Sequence, residues 1–330
     1  MSRTFVFNDL HGNSQMVKKV VGLIDDMWPG DVVIANGDIA GSRGPKMNEL
    51  ARIYYNVRRA EETESALREA VWKLTGEQIR IPHEWIYDAT HFGMFRALLA
   101  ESSAKFRELI DSEIAYAIDE TLTPLGAVAK KRGVTIYYLP GNGELVPFDI
   151  DTSNIKVERT VDPENCYYNK LAREGRFASD GVRFVPGVKL LSRCSGNILL
   201  LSTYLLDKDQ KDIAMALRSI GAFSRERMEI SKVVVHYPPM IDPLDKSFPF
   251  WKSGEVDKRR IGALGNILGQ LKLRDGAKIF FGHIHLGTTD RKMDFYPQFM
   301  GWNKTIDLEL CPLSVTAQCI WVKPGEMIQI

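Results

Sequence analysis

Residues 4–11 read TFVFNDLH, which is four residues typical of a β-strand followed directly by Asn, Asp, Leu and His. Four later stretches repeat this arrangement of an apolar run that ends in polar residues: VVIANGD at 32–38, VTIYYLPGNG at 134–143, KVVVH at 232–236 and KIFFGHIH at 278–285. The runs are nearly continuous in apolar character and rich in β-branched and aromatic residues, which is typical of strands buried on both faces. These five stretches therefore predict the strands of a buried sheet.

Helical patterns separate some of these runs. Between Met16 and Ile24, apolar residues recur on one helical face, with Ser14 as the expected N-cap, and a second helical pattern covers about residues 256–273. Alternating strands and helices predict an α/β fold, in which helices cover a sheet. Ligands of such sheets bind at the carboxyl ends of the strands. We therefore expect the polar residues that follow the five runs to form one site.

Residues 47–132 differ in pattern from the rest of the chain. Apolar residues follow helical spacing over much of this region, and Pro124 is expected to open a last helix. Residues 146–195 read as irregular, because Pro, Gly, Asn and Asp are scattered through them. A chain of 330 residues suits one large domain with an insertion. We predict a single domain of residues 1–330, in which a mostly helical insertion, residues 47–132, forms a cap over the site.

The overall composition disfavours several classes of function. The formal net charge is +1, which predicts neither strong nucleic-acid binding nor attraction to a membrane surface. The sequence has no secretory pattern and no apolar run of about 18 residues, so we expect a cytoplasmic protein without a membrane partner. The four cysteines lack CxxC spacing, so a cysteine zinc site is not expected. A small basic cluster is interpreted as a solvated helix face: Lys252, Lys258, Arg259 and Arg260.

The polar ends of the five runs supply the side chains of a metal centre. The candidate ligands among them are two Asp, one Asn and four His: Asp9, His11, Asp38, Asn142, His236, His283 and His285. Mixed oxygen and imidazole ligands favour Mn, Fe or Zn. Seven ligands exceed one tetrahedral site and suit two divalent ions that share a bridging carboxylate. A single His at a strand end is more often a structural residue, but four of the six histidines lie at these ends, which favours metal binding.

The order Asp-x-His, Gly-Asp, Gly-Asn, His, Gly-His-x-His across residues 9–285 resembles the calcineurin-like metallophosphoesterase superfamily. The resemblance implies a β-sandwich core flanked by helices, whereas the residues alone predict only an α/β sheet. It implies one metal held by Asp9, His11 and His285, a second held by Asn142, His236 and His283, and a bridge at Asp38. It also implies cleavage of a phosphoester or phosphoanhydride bond by attack of a metal-bridging hydroxide.

One position departs from the pattern of this superfamily. The third block usually reads Gly-Asn-His followed by Asp or Glu, whereas this chain reads Gly141-Asn142-Gly143-Glu144. The missing His is usually credited with protonating the leaving group, and such acid catalysis contributes about 10²–10⁴-fold. We expect a void the size of an imidazole beside Gly143. A phosphate or pyrophosphate leaving group would tolerate the loss, because it needs less protonation.

Other side chains are candidates to replace the missing His. Arg43 would bind phosphate through its fixed charge, and Glu144 would act as an acid if its pKa were raised. His83 or His91 could reach the site from the helical insertion, although two exposed histidines on a cap are the simpler interpretation. The candidate catalytic residues are therefore Asp38, Asn142, Arg43 and Glu144.

Three functions remain open at this stage. The first is a hydrolase that acts on a phosphorylated small molecule or nucleotide. The second is a nuclease, which the near-neutral charge and the lack of a basic stripe disfavour. The third is a metal-binding scaffold that is catalytically weak or silent, and Gly143 motivates it.

Overall fold

A computed structural model describes residues 2–41, 44–58, 60–76, 78, 104–145, 164, 166–220, 229–239, 255–283, 303–310 and 313–330. The strands in these ranges are β1 (Thr4–Phe7), β2 (Val32–Asn36), β3 (Thr135–Leu139), β4 (Val182–Phe184), β5 (Val188–Arg193), β6 (Gly196–Leu201), β7 (Ile230–Val235), β8 (Leu273–Phe281), β9 (Asn303–Leu310), β10 (Leu313–Trp321) and β11 (Met327–Gln329). The helices are α1 (Ser14–Asp25), α2 (Pro45–Arg58), α3 (Glu64–Thr75), α4 (Ala104–Arg132), α5 (Tyr167–Arg173), α6 (Arg176–Ser179), α7 (Thr203–Leu206), α8 (Gln210–Ser219) and α9 (Glu255–Gln270).

The strands form two mixed sheets. The first sheet has the order β11-β1-β2-β3-β4, and its strands are parallel except for β11. The second sheet has the order β5-β6-β7-β8-β10-β9, with parallel pairing from β6 to β10 and antiparallel strands at both edges. The predicted α/β class is confirmed. The five predicted runs are all strands, but they divide between two sheets, with β1, β2 and β3 in one and β7 and β8 in the other.

Alternating side chains give each sheet two buried faces. On β2, Val33 and Ala35 pack with α1 and with the helices between β2 and β3, whereas Val32 and Ile34 point to the opposite face. That opposite face belongs to an apolar cluster with members from both sheets, including Val6, Leu139, Ile198, Val234 and Phe280. A third cluster joins the second sheet to α7, α8 and α9. Burial on both faces explains why the central strands are apolar almost without interruption.

Local details correct three sequence-based expectations. Asn13, rather than Ser14, is the N-cap of α1, because its side chain accepts hydrogen bonds from the backbone N–H groups of Gln15 and Met16. Pro124 lies inside the long helix α4 and does not begin a new one. The described part of residues 146–195 contains α5, α6, β4 and β5, elements of three to seven residues that are too short for periodicity to reveal.

Between β2 and β3, the described residues form helices α2, α3 and α4, and α4 lies beside α1 in the layer that covers the first sheet. Part of the predicted insertion, including His83 and His91, lies outside the described residues. The single-domain organisation and the cap over the site stay predictions. None of the helices that the structure describes is long and apolar enough to cross a membrane.

Candidate metal centre

The candidate ligands follow the carboxyl ends of strands from both sheets. Six of the seven predicted ligands lie in the part of the chain that the structure describes, after β1, β2, β3, β7 and β8: Asp9, His11, Asp38, Asn142, His236 and His283. The seventh, His285, and the candidate phosphate-binding residue Arg43 lie outside the described residues. The six side chains form two groups that meet at Asp38.

The first group contains Asp9, His11 and Asp38. His11 Nε2 lies 3.8 Å from Asp9 Oδ1 and 3.6 Å from Asp38 Oδ2. Both carboxylates are buried, whereas the His11 side chain is 42% exposed. Solvent therefore reaches this side of the site at His11.

The second group gathers around the buried His236. Its Nε2 lies 3.0 Å from Asn142 Oδ1, 3.3 Å from His283 Nδ1 and 3.5 Å from Asp38 Oδ2. Ligand atoms bonded to one ion at about 2.0–2.1 Å in tetrahedral geometry lie roughly 3.3 Å apart. The distance from His236 Nε2 to each of the other three atoms is therefore close to that between two ligands of one ion. Asp38 Oδ2 is close to His11 of the first group and to His236 of the second.

A backbone carbonyl orients the His236 ring. His236 Nδ1 lies 3.1 Å from the backbone oxygen of Asn36, and the Asn36 side chain donates to the carbonyl of Val235. An Nδ1–H that donates to a carbonyl fixes the tautomer and leaves Nε2 as the ligand atom. The same contacts join the end of β2 to the end of β7, so they also hold the two sheets together at the site.

The backbone is strained at the candidate ligands. Among the described residues, five that are not glycine have positive φ, and four of them are candidate ligands: Asp9 (53°), His11 (45°), Asp38 (50°) and His283 (66°). The left-handed region costs a non-glycine residue about 1–3 kcal/mol, and such strain clusters at functional sites. Contacts with the surrounding residues must therefore maintain these four backbone conformations.

Two glycines permit the close approach of the site loops. A Cβ atom at Gly37 would collide with the His236 ring, and one at Gly141 would collide with the Asp38 carboxylate and backbone. No residue larger than glycine fits either position without moving a candidate ligand.

The Glu144 side chain links the loops that follow β2 and β3. Its carboxylate is fully buried and accepts four backbone hydrogen bonds: Oε2 from Asp38 (2.9 Å) and Gly141 (2.7 Å), and Oε1 from Ile39 (2.9 Å) and Gly41 (3.2 Å). Both oxygens face donors, which is the environment of an ionised acceptor. This geometry indicates a brace between the loops after β2 and β3, and the role of Glu144 as a proton donor stays a prediction.

Two buried tyrosines support the same loops. Tyr168 donates its hydroxyl to the carbonyl of Gly41, and Tyr204 donates to the backbone carbonyl of Glu144. Sequence reasoning missed both residues. Each lies far along the chain from its partner, and a tyrosine in an apolar stretch reads only as part of the core.

Gly143 contacts Asp38 directly. Its backbone N–H donates to Asp38 Oδ1 at 2.6 Å, and a Cβ atom at this position would lie 3.0 Å from the same oxygen. The sequence suggested a void at this glycine, but the structure brings the backbone against the carboxylate. Any side chain at position 143 would therefore have its Cβ atom in tight contact with the Asp38 carboxylate.

The electrostatics of the site favour a bound positive charge. Burial opposes ionisation of Asp38, but the neighbouring His236 and His11 hold the pKa of its carboxyl well below the usual range. Burial likewise opposes protonation of His236, but the charge and hydrogen bond of Asp38 raise the pKa of its imidazole to about 9. Burial, followed by the charge of Asp38, raises the pKa of Glu144, while the N–H donors of Gly141 and Gly41 oppose this rise. The mixed oxygen and nitrogen donors around a buried carboxylate fit divalent ions such as Mn, Fe or Zn.

Comparisons with known proteins give only distant similarities. No family model matches this chain, and no curated protein matches it. Among solved structures, the chain is similar to phosphopantetheinyl hydrolase from Mycobacterium tuberculosis, with 10% identity over 100% of this chain and 95% of that chain, at a TM-score of 0.41. It is also similar to a protein of unknown function from Aquifex aeolicus, with 9% identity over 100% and 96% of the two chains, at a TM-score of 0.34. With TM-scores below 0.5, neither similarity decides the fold or function of this chain.

Proposed function

We propose that this protein is a metal-dependent phosphohydrolase of the calcineurin-like metallophosphoesterase type. The observation that carries the proposal is the position of Asp38 Oδ2, which lies 3.6 Å from His11 Nε2 and 3.5 Å from His236 Nε2. A carboxylate oxygen between two groups of ligands is what a dinuclear site requires. The five-block order of the sequence supports the same assignment, and with it a β-sandwich arrangement of the two sheets.

The proposed site holds two divalent ions, of which Mn, Fe and Zn are the candidates. Asp9, His11 and His285 would hold one, Asn142, His236 and His283 would hold the other, and Asp38 would join them. When bound, the ions would supply the Lewis acid that activates water and neutralises charge on the phosphoryl oxygens. Asn36 would hold His236 in its ligand tautomer, and Glu144 would hold the Asp38 loop in place.

The absence of a histidine at position 143 limits the proposed substrates. A phosphate, a pyrophosphate or another weakly basic leaving group departs without protonation, whereas an alkoxide does not. We therefore propose a phosphorylated small molecule or nucleotide with a good leaving group, cleaved at a phosphoester or phosphoanhydride bond. Residues 47–132 would select among substrates from above the site, and Arg43 would bind phosphate.

A metal-binding scaffold with little or no turnover is the alternative. The sequence favours it, because glycine stands at position 143, where the superfamily usually carries the histidine that acts as the acid. The net charge of +1 gives a nuclease no comparable support.

The proposal is tested by metal content and by hydrolysis of an ester series. Elemental analysis after reconstitution with Mn²⁺ should give two ions per chain, and one ion or none would contradict a dinuclear site. Rates on aryl and alkyl phosphates should fall steeply as the leaving group becomes more basic. Two bound ions with no turnover on any ester or phosphoanhydride would instead favour the scaffold.

Variants at position 143 test the missing acid. Gly143→His should raise the rate on alkyl esters more than on nitrophenyl esters, because it restores a proton donor. Gly143→Ala is the matched control, since it adds the Cβ atom beside Asp38 without an imidazole, and it should not flatten the dependence on the leaving group. Equal slopes for wild type and Gly143→His would mean that another residue already supplies the proton.

A further inference from the structure

Tyr237 packs directly on two candidate metal ligands. Its ring centroid lies 4.1 Å from that of His283, with 32° between the ring planes, and 5.7 Å from that of His236 in an edge-to-face contact. The tyrosine is fully buried and follows His236 at the end of β7. The Tyr237 ring therefore packs against the imidazole of His283.

A buried ion pair fixes the hydroxyl end of this tyrosine. Arg260 of α9 is 5% exposed, and its Nη1 donates to Tyr237 Oη at 2.8 Å. The rest of its guanidinium forms a fork on Asp207, with Nε at 2.8 Å from Oδ1 and Nη2 at 2.6 Å from Oδ2. The Asp207 side chain is completely buried between α7 and α8. A two-point Arg–carboxylate fork is rigid and directional, unlike a single ammonium contact.

These contacts form a chain from the helical layer of the second sheet to the metal centre. Asp207 fixes Arg260, Arg260 fixes the hydroxyl of Tyr237, and the Tyr237 ring bears on His283. His283 needs such support, because its backbone is in the left-handed region and its side chain is only partly buried. Two buried charges that satisfy each other also avoid the large cost of an unpaired buried charge.

We propose that Asp207, Arg260 and Tyr237 are positioning residues that hold the His283 imidazole in the orientation needed to bind a metal ion. The inference rests on the proposed metal site and adds an outer layer to it. Its physical reason is that a ligand ring free to rotate must lose that freedom on binding metal, whereas a ring held in place has already lost it. Outer contacts of this kind typically change metal affinity by about 10- to 100-fold.

Calorimetric titration with Mn²⁺ tests the inference on chelator-treated full-length protein. Wild type should show two binding events. Tyr237→Leu, which removes the ring, should weaken one event by about 10- to 100-fold and change the other much less. Tyr237→Phe keeps the ring and loses the bond to Arg260, so it should weaken the same event by a smaller factor. Arg260→Gln should weaken the same event, and it should also lower the melting temperature, because Asp207 loses its buried two-point partner.

A matched control separates positioning from general loss of stability. Tyr54 of α2 is also a buried tyrosine, but it belongs to the apolar cluster that contains α1 and the helices between β2 and β3. Tyr54→Leu should lower the melting temperature, and neither Tyr54→Leu nor Tyr54→Phe should have a selective effect on one metal event. As a second readout, the visible spectrum of the Co²⁺-loaded protein should change in Tyr237→Leu and not in the Tyr54 variants.

The outcomes distinguish the inference from the proposed function. If wild type binds no metal, the proposed function fails and the inference falls with it. If wild type binds two ions and the Tyr237 variants behave like the Tyr54 variants, only the positioning role is overturned. If Tyr237→Leu does not fold, the comparison of Tyr237→Phe with Tyr54→Phe decides, and equal metal affinities would overturn the role.

Discussion

Asp38 belongs to both groups of candidate ligands, while its other oxygen accepts the hydrogen bond from Gly143. Each of its interactions therefore uses a carboxylate that is buried and ionised. An amide or a methyl group in its place would remove the charge that both groups share. At the scale of single residues, this side chain should have the largest effect on metal binding.

Asp38→Ala should lose both metal ions, whereas His11→Ala should lose mainly the ion on the exposed side. Asp31→Asn is the matched control, because Asp31 is a buried aspartate that pairs with Arg3 away from the site. It should lower stability and keep two ions. Elemental analysis of the three purified variants after Mn²⁺ loading measures this. Retention of two ions by Asp38→Ala would show that Asp38 is not a bridge.

The raised pKa of His236 predicts that the stability of the metal-free protein depends on pH. Bound metal should remove this dependence. Asp38 raises the pKa of the folded imidazole to about 9 from an ordinary value of 6.5, despite burial. Protonation of His236 therefore stabilises the metal-free protein fully below pH 6.5, and this contribution is lost as pH rises through 9. The loss is on the order of 3 kcal/mol. A metal-bound imidazole carries no such proton, so loading with metal should abolish the trend.

Calorimetric melting of the chelated and metal-loaded forms between pH 6 and pH 10 measures this difference. The chelated form should lose stability as the pH rises from 6 to 10, and the metal-loaded form should not. His236→Gln should remove the trend from the chelated form. A trend that persists in that variant would belong to another group.

At the scale of elements, the loops after β2 and β3 are held by one carboxylate. Glu144 accepts N–H groups from both loops, and Tyr168 and Tyr204 fix the adjacent carbonyl groups. The strained backbone of Asp38 lies within this arrangement. Loss of the brace should therefore release both loops and disturb the metal ligands that they carry.

Glu144→Gln should lower both stability and metal affinity, because its amide turns two donors toward backbone N–H groups that also donate. An unsatisfied buried polar group costs about 1–3 kcal/mol. Glu113→Gln is the control, since Glu113 is a buried carboxylate that accepts the N–H of Met47. Urea denaturation and Mn²⁺ titration of both variants measure the difference. Equal metal affinity in the two would contradict a brace specific to the site.

Elements and candidate ligands differ in how far the sequence predicts them. The five strand runs and the polar residues after them were predictable, because each apolar run changes abruptly to polar residues at its end. The division into two sheets was not, since a strand sequence does not encode its long-range partner. Arg260 was interpreted as solvated because a charged residue on a helix usually is. The hydrogen bonds of Glu144 were not predictable from the sequence either, because its partners are backbone N–H groups, which almost every residue carries.

At the scale of the whole molecule, the site lies where the two sheets meet. The loops of the first sheet carry Asp9, His11, Asp38 and Asn142, whereas the second sheet contributes His236 and His283. Direct links already cross this boundary: Asn36 contacts His236 and Val235, and Asp9 accepts the backbone N–H of His283. Divalent ions bound here would join the two sheets at the edge where strain is concentrated.

Metal binding should therefore protect both sheets from local opening. Ligand at about 100 times its dissociation constant stabilises the folded state by about 2.7 kcal/mol. Hydrogen exchange of the chelated and Mn²⁺-loaded protein should show slower exchange at the ends of β1 and β2 and at the ends of β7 and β8 alike. In Asp38→Ala the added metal should change neither sheet. Slower exchange in the first sheet alone would mean that His236 and His283 do not share the ions, and the metal centre would then belong to one sheet.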